Sequence, residues 1–271
     1  MEPLDRLSPE RARRVDAVFT DIDDTLTHEG MVEAEAFQAM WRLFRAGIAV
    51  VPVTGRPAGW CDAIARMWPV AAIVGENGAF YFRYDRAARR LERSFVLDEA
   101  ARAGLGASLQ RIGEEILRAV PRARIASDQA YRIHDLAIDF SEDVVPPLAP
   151  NEIDRIVQIF QAHGATAKVS SIHVNGWIGS WDKLGMIQRV AAEVLGRRLE
   201  DPAAQETAIY VGDSPNDEPA FRFFPLSVGV ANVEDFRDRL RDPPKFVASA
   251  RGGRGFAEVA EVVLAARAGQ A

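Results

Sequence analysis

The chain has 271 residues, of which 48% are hydrophobic, so it can bury one large core or two modest ones. Its formal net charge of −6 argues against nucleic acid or an anionic membrane as a main partner. No apolar stretch approaches the roughly 20 residues that span a bilayer, and charges stand where a signal peptide needs an apolar core. The single cysteine, Cys61, cannot form an internal disulfide, so a cytoplasmic location is expected.

Three carboxylates follow the first apolar run of the chain. Residues 15–20 are predicted to form a short buried strand, and Asp21, Asp23 and Asp24 come directly after it. A tight turn would bring Asp21 and Asp23 together, which is costly unless a cation neutralises them, and oxygen ligands suit Mg²⁺. An aspartate that attacks a phosphoryl group needs the same neutralisation. An acidic turn or a plain cation site is the alternative for this segment alone.

Helices and apolar strands then alternate. The pattern predicts a helix, a strand, a helix and a strand over 33–45, 48–53, 60–67 and 71–74. Strands that are apolar throughout and alternate with helices indicate a parallel sheet covered on both faces. Ligands bind at the carboxyl ends of such strands, where the segments 54–57 and 75–78 would lie.

The pattern changes after residue 80. The charged and aromatic segment 81–93 predicts a crossing segment or a short hairpin. Two helices and four interrupted strands are predicted beyond it, at 98–120 and 151–163, and at 125–127, 136–140, 166–170 and 172–174. Amphipathic strands favour an antiparallel sheet with one covered face. We therefore expect an α+β domain over 83–178, inserted into a core formed by 1–82 and 179–271.

The first pattern resumes after Trp181. A helix is predicted over 182–195, and strands and a closing helix over 207–211, 226–230, 246–248 and 257–266. The segment Gly212-Asp213-Ser214-Pro215-Asn216-Asp217 follows the strand at 207–211 and adds two carboxylates at a strand end.

Four segments of the chain, taken together, resemble the four motifs of the haloacid dehalogenase superfamily of phosphohydrolases. They are Asp21-Ile22-Asp23-Asp24-Thr25, Thr54-Gly55-Arg56, Lys183, and the segment 212–217. Each is weak alone, but all four stand in the right order at predicted strand or helix ends. The insertion resembles a type IIB cap, and the nearest resemblance is to the Cof-type branch, which includes sugar-phosphate phosphatases. That branch usually has glycine where Asp24 stands, and the wider superfamily also has aspartate there.

This resemblance implies an α/β fold with a Rossmann-like, doubly wound parallel sheet and an inserted α+β cap (type C2B). It also implies a Mg²⁺-dependent phosphomonoester hydrolase. Asp21 would be the nucleophile and a metal ligand, and Asp23 would offer the metal a backbone carbonyl and act as general acid and then base. Lys183 would place a cation beside Asp21 and the phosphate. Asp213 would be a second metal carboxylate, and Asp217 would complete the metal shell or hold Lys183.

The phosphate-binding groups implied by the resemblance are Thr54, Gly55, Lys183 and Asn216, the last of which could instead hold the metal's water. Candidate specificity residues are Arg56, Glu76, Asn77, Arg132, His134, His173 and Asn175. Each has a plain structural alternative. Arg56 could pair with a carboxylate, Glu76-Asn77 could form a tight turn, and the residues of the insertion could line a solvated strand edge.

The expected substrate is a small phosphorylated metabolite, such as a sugar phosphate or a phosphoglycerate derivative. A sugar phosphomutase of the same superfamily is one alternative. A sugar-phosphate-binding regulator without turnover is another, although a binding module has no need of Asp23.

Overall fold

A computed structural model describes residues 1–170 and 172–269. In chain order the strands are β1 (Glu2–Pro3), β2 (Ala17–Thr20), β3 (Thr27–His28), β4 (Met31–Val32), β5 (Ala49–Pro52), β6 (Ile73–Gly75), β7 (Phe80–Asp85), β8 (Arg90–Phe95), β9 (Arg124–Ile125), β10 (Asp135–Asp139), β11 (Thr166–Val169), β12 (His173–Trp177), β13 (Ala208–Gly212), β14 (Leu226–Gly229) and β15 (Phe246–Val247). The α-helices are α1 (Pro9–Arg14), α2 (Ala34–Arg45), α3 (Ala58–Met67), α4 (Glu99–Ala119), α5 (Pro150–Ala162), α6 (Lys183–Glu193), α7 (Pro202–Gln205), α8 (Glu218–Phe223) and α9 (Gly252–Ala268). Short 3₁₀ helices occupy Leu4–Arg6, Glu76–Gly78, Gln129–Tyr131, Pro215–Asp217 and Ala231–Arg239.

The central sheet has six parallel strands in the order β1-β15-β14-β13-β2-β5. Successive side chains of a strand point to opposite faces, and here they enter two separate cores. Val18 and Val50 pack into one hydrophobic cluster with α2, α3 and α9, while Phe19 and Val51 pack into another with α6 and α8. The sheet is covered on both faces, which confirms the predicted α/β class and explains why its strands are apolar throughout.

The segment predicted as a crossing or a hairpin forms the hairpin β7–β8. The hairpin pairs antiparallel with β6 through its strand β7. A parallel bridge between Val53, just after β5, and Val74 of β6 links these three strands to the central sheet. Phe80, Phe82 and Phe95 of this hairpin pack into the same cluster as α2 and α3.

A second sheet is antiparallel, in the order β11-β12-β10-β9, as the interrupted strands predict. Its strands bury Leu136, Ile138 and Val174 against α4 and α5 in a third hydrophobic cluster. The alternate residues of the same strands are mostly polar, and they lie on the opposite face. The extent of the inserted domain, 83–178, stays a prediction.

Within the described residues, no helix has both the length and the apolar character required to cross a membrane.

Candidate active site

The first carboxylates lie in a turn at the carboxyl edge of the central sheet. β2 ends at Thr20, and the chain turns at Asp24, which has a φ of 59°. The Asp24 N–H donates to Thr27 Oγ1 at 2.9 Å, which fixes this turn. Thr25 is fully buried, and its hydroxyl donates to Asp213 Oδ1 at 2.9 Å. This bond joins the carboxylate turn after β2 to the one after β13.

Three buried carboxylates converge at this edge. Oxygen atoms of Asp21, Asp213 and Asp217 all lie within 4.8 Å of one another. Lys183, the first residue of α6, enters the same group: its Nζ lies 3.0 Å from Asp21 Oδ1 and 3.4 Å from Asp217 Oδ1. The structure therefore brings together residues from the first, third and fourth sequence motifs.

The cluster carries more negative charge than Lys183 can offset. Burial raises the pKa of Asp21 to about 7, although Lys183 lowers it. Burial, then Asp217 and Asp21, raises the pKa of Asp213 well above its ordinary value. The pKa of Lys183 is also raised, because the attraction of Asp21 and Asp217 outweighs the burial that opposes its charge. Crowded carboxylate oxygens with too little positive charge are a donor set that fits Mg²⁺.

Asp217 is held by several donors at once. Its Oδ1 accepts from Tyr210 Oη at 2.6 Å as well as from Lys183, and its Oδ2 accepts from the Asp213 N–H at 3.0 Å. These contacts favour the alternative in which Asp217 holds Lys183. Tyr210 was missed by the sequence analysis, because it lies inside the apolar strand β13 and nothing there marks it as a polar partner.

Asp23 lies outside the three-carboxylate cluster and is paired with Arg56. The guanidinium donates to Asp23 Oδ1 from Nε at 3.0 Å and from Nη2 at 2.9 Å. Its Nη1 donates to Glu142 Oε1 at 3.1 Å, and it stacks over the ring of Trp60. Glu142 Oε2 lies 3.0 Å from His173 Nε2. His173, followed by Arg56, lowers the pKa of Glu142 to about 2 against the opposing effect of burial.

This chain of contacts joins the carboxylate turn after β2 to the segment after β10. Glu142 was also missed by the sequence analysis, although a carboxylate just beyond a strand end was a usable signal.

Three of the predicted phosphate-binding groups, Gly55, Lys183 and Asn216, line one cavity, and Thr54 immediately precedes Gly55. Thr54 is fully buried, and its Oγ1 accepts the Arg56 N–H at 3.0 Å. Gly55 faces Asn77, whose Nδ2 would lie 3.1 Å from a Cβ added at Gly55. Asn216 lies on the wall of the cavity described below.

Glu76 and Asn77 differ in their surroundings. The fully buried Glu76 carboxylate accepts the N–H groups of Ala58 at 3.0 Å, Ile133 at 2.9 Å and His134 at 2.6 Å, so it ties the turn after β6 to the insertion. Asn77 lines the cavity, and its buried Nδ2 has no hydrogen-bond partner among the described residues.

The same turn is pressed onto the start of α6. Gly78 has a φ of 102°, and a Cβ there would lie 2.0 Å from the carbonyl oxygen of Asp182. Only glycine permits this approach, which places the turn directly against the residue before Lys183.

The candidate specificity residues of the insertion fall into two groups. His173 and Asn175 line the cavity, and Asn175 Nδ2 donates to Asp135 Oδ2 at 3.1 Å. His134 instead packs its side chain among aromatic rings, and neither ring nitrogen has a hydrogen-bond partner in the part of the chain that the structure describes.

Arg132 borders the cavity, but its guanidinium is already hydrogen-bonded to other groups of the protein. Its guanidinium bonds Asp128 at 3.0 and 3.1 Å, Asp135 at 3.0 Å, and the carbonyl oxygen of Gly55 at 3.0 Å. Only 1% of its side chain is exposed. Through these contacts, Arg132 connects the insertion to the loop after β5.

Replacing Arg132 by methionine is expected to lower the free energy of unfolding by about 3 kcal/mol, because it leaves two buried carboxylates without their partner. Urea-induced unfolding measures this change. The matched control is Arg237→Met, since Arg237 is 62% exposed in its pair with Glu234 and should contribute about 1 kcal/mol or less. Equal effects of the two substitutions would contradict the conclusion that the ion pairs of Arg132 are buried and stabilise the fold.

The carboxylates open into a cavity of about 780 Å³. Its wall combines residues of the central sheet edge, the hairpin β3–β4, the second sheet and the 3₁₀ segment Ala231–Arg239. Both His28 and Glu29 of the β3–β4 hairpin line it, although the sequence analysis predicted no element there. A smaller cavity of about 240 Å³ shares Asn77, Lys183 and Asn216 with it.

No protein-family model matches the sequence, and no curated protein matches it. Solved structures do match. A protein of Thermoplasma acidophilum is 17% identical with a TM-score of 0.70, and the alignment covers 92% of this chain and 98% of that one. A haloacid dehalogenase-like hydrolase of Bacteroides thetaiotaomicron is 15% identical with a TM-score of 0.63, covering 91% and 98%. The sucrose-phosphatase of Synechocystis, solved with sucrose and phosphate, is 15% identical with a TM-score of 0.60, covering 93% and 98%.

These likenesses extend over nearly the whole of each chain, including the second sheet as well as the central one. The chain therefore has the fold of the haloacid dehalogenase-like hydrolases, a parallel α/β core with an inserted cap.

Proposed function

We propose that this chain is a Mg²⁺-dependent phosphomonoester hydrolase that forms an aspartyl-phosphate on Asp21. The observation that carries the proposal is the buried Asp21 carboxylate with Lys183 Nζ at 3.0 Å and Asp213 beside it, at the carboxyl edge of a parallel sheet. Such an edge is where α/β folds bind their ligands. The fold shared with a sucrose-phosphatase supports a phosphorylated sugar or a similar small metabolite as the substrate.

The carboxylates of Asp21 and Asp213 and the backbone carbonyl of Asp23 would hold Mg²⁺. When bound, the ion supplies positive charge that offsets the repulsion between the Asp21 carboxylate and the phosphoryl group. Asp217 then keeps Lys183 in place, since it already accepts from the lysine and from Tyr210.

In the first half of the reaction, an Asp21 oxygen bonds to phosphorus while the bond to the ester oxygen breaks. Asp23 gives its proton to the departing alkoxide. In the second half, Asp23 takes a proton from water as the water oxygen attacks phosphorus, and the bond to Asp21 breaks to release phosphate. Thr54, Gly55, Lys183 and Asn216 would bind the phosphoryl oxygens. Arg56 would orient Asp23, because its fork holds both oxygens of that carboxylate.

We also propose that residues 83–178 act as a cap over this site. Two contacts support the idea: Glu142 bonds Arg56 at 3.1 Å, and the Ile133 N–H bonds Glu76 at 2.9 Å. Both lie between the insertion and loops at the catalytic edge, so movement of the insertion would change the surroundings of Asp23.

A phosphate-release screen tests the proposal. The purified chain is incubated with Mg²⁺ and panels of phosphorylated sugars, glycerates and nucleotides, and inorganic phosphate is measured. Turnover of at least one class above the level of an Asp21→Asn sample is expected. Phosphate release from none of them would overturn the proposed activity.

The role of Asp23 predicts a dependence on the leaving group. Asp23→Asn is expected to lower kcat by roughly 10²–10⁴-fold for an alkyl phosphate, which needs a proton on its departing oxygen. An aryl phosphate with an acidic leaving group should lose less in the first chemical step, because its departing oxygen needs no proton. Pre-steady-state release of the aryl alcohol measures this step. Equal losses on both esters would remove Asp23 from the role of general acid.

A further inference from the structure

Most cations around the large cavity are already neutralised. Arg56 pairs with Asp23, Arg132 with Asp128 and Asp135, Lys183 with Asp21 and Asp217, and Arg251 with Asp235. Two cations that line this cavity, Lys168 and Arg239, form no ion pair with any residue in the ranges 1–170 and 172–269. They differ in position, because Arg239 borders only the large cavity whereas Lys168 borders both cavities.

Lys168 lies on the strand β11 of the second sheet, directly opposite Asn175 in the antiparallel register with β12. Directly opposite residues of a strand pair share one face of the sheet. Asn175 lines the large cavity and His173, two residues before it, does so too, so this is the face turned towards the catalytic carboxylates. Lys168 shares the walls of both cavities with Lys183, Asn77 and Asn216. It therefore presents a cation where the two cavities meet.

Lysine is rare in this chain, so the positions of its lysines are informative. The chain has only three lysines, Lys168, Lys183 and Lys245, among its 33 lysine and arginine residues. Two of the three border the same cavities. The third, Lys245, is exposed just before β15, at the amino end of that strand and so at the opposite edge of the sheet.

The surroundings of Lys168 set the charge of the group that would bind there. Asp24 and Glu29 also line the large cavity and repel any anionic group on a leaving alcohol. Lys183 is already paired with Asp21 and is committed to the phosphate that is transferred. A substrate with a second anionic group needs another cation, and a neutral alcohol needs none.

We propose that Lys168 binds a second anionic group, a carboxylate or a second phosphate, on the leaving alcohol of the substrate. The preferred substrates are then phosphomonoesters with two anionic groups. This inference rests on the proposed phosphatase function and narrows its substrate class.

Matched pairs of esters test the inference. 3-Phosphoglycerate and glycerol 3-phosphate differ mainly in a carboxylate, and glucose 1,6-bisphosphate and glucose 6-phosphate differ in a second phosphate. Lys168→Met is expected to lower kcat/KM on the order of tenfold for the member with two anionic groups in at least one pair. The change on the other member should stay below about twofold. The pair that responds identifies carboxylate or phosphate as the group bound.

Two further variants separate charge from structure. Lys168→Arg keeps the cation and should retain most of the preference for the ester with two anionic groups, whereas Lys245→Met should leave all four values of kcat/KM unchanged. Equal losses on both members of each pair in Lys168→Met, or no loss on either, would overturn the inference while the phosphatase activity stands. If the wild-type chain releases phosphate from no ester in the wider screen, the proposed function fails instead.

A binding measurement decides the matter independently of turnover. The acetylation rate of each lysine is followed by mass spectrometry in the wild-type chain. 3-Phosphoglycerate should slow the labelling of Lys168 several-fold more than glycerol 3-phosphate does, or glucose 1,6-bisphosphate several-fold more than glucose 6-phosphate, with Lys245 unaffected in every sample. Equal protection of Lys168 by the two members of both pairs would overturn the inference.

Discussion

Asparagine in place of Asp21 is expected to lower kcat by roughly 10⁴-fold or more while the fold is retained. An amide cannot attack phosphorus, and asparagine matches aspartate in size. The remaining partner of Lys183, Asp217, still lies 3.4 Å from its Nζ, so the lysine keeps a carboxylate beside it. Steady-state hydrolysis of an aryl phosphate in the presence of Mg²⁺ measures the loss, and circular dichroism measures the fold.

The neighbouring carboxylate provides the matched control. Asp24 has a φ of 59°, a left-handed conformation that asparagine tolerates well, so Asp24→Asn removes one charge without straining the turn. We expect its kcat within about threefold of the wild-type value, because it touches no group in the proposed chemistry. A tenth or more of the wild-type activity in Asp21→Asn would place the nucleophile elsewhere.

The sequence could predict the catalytic edge because its signals are local. The order of residues alone predicts apolar strands that are followed by Asp21, Thr54 and Asp213. Parallel strands bring their carboxyl ends to one edge of the sheet. The start of α6 is equally local, because Asp182 precedes Lys183 and its side chain accepts the Gly185 N–H as a helix cap. These positions agree with the structure.

Such local signals could not predict contacts between segments that are far apart in the sequence. The partner of Arg56 is Asp23, 33 residues away, and its second partner, Glu142, is 86 residues away. The sequence around Arg56 is compatible both with a contact to substrate and with a pair to a carboxylate. Which carboxylate a guanidinium meets depends on how the insertion packs on the core, and neither local propensity nor periodicity determines that packing.

The hairpin β3–β4 and the first residues of α9 were not predicted, for different reasons. The hairpin β3–β4 is only two pairs long, too short for an alternating pattern to appear. The helix α9 begins at Gly252, earlier than the predicted start at residue 257, in a glycine-rich stretch that helix propensity disfavours. A Cβ at Gly253 would lie 2.8 Å from Ala36 Cβ, so packing against α2 explains why glycine is used there.

Removal of divalent cations is the second large effect that we expect. Treatment with EDTA should lower phosphate release by about 10³-fold or more, because the Asp21 carboxylate would then face a phosphate dianion with only Lys183 to offset the repulsion. Added Mg²⁺ should restore the rate. Asp213→Asn should raise the Mg²⁺ concentration needed for half-maximal activity at least about tenfold, since it removes one of two proposed carboxylate ligands. Full activity in metal-free buffer would exclude a metal from the reaction.

Stability provides a readout of the same site that does not depend on turnover. Burial, followed by the charges of Asp217 and Asp23, raises the pKa of Asp21 to about 7 against the opposing effect of Lys183, so ionised Asp21 is repelled by its neighbouring carboxylates in the folded chain. A cation bound only to the folded state relieves this repulsion and adds roughly 2.7 kcal/mol of stability at a concentration of 100 times its Kd. We therefore expect the Tm to rise with Mg²⁺ in the wild-type chain and to respond much less in Asp213→Asn. A Tm that rises equally in both proteins would place the bound cation away from Asp213, and the carboxylates at this edge would then serve Lys183 alone.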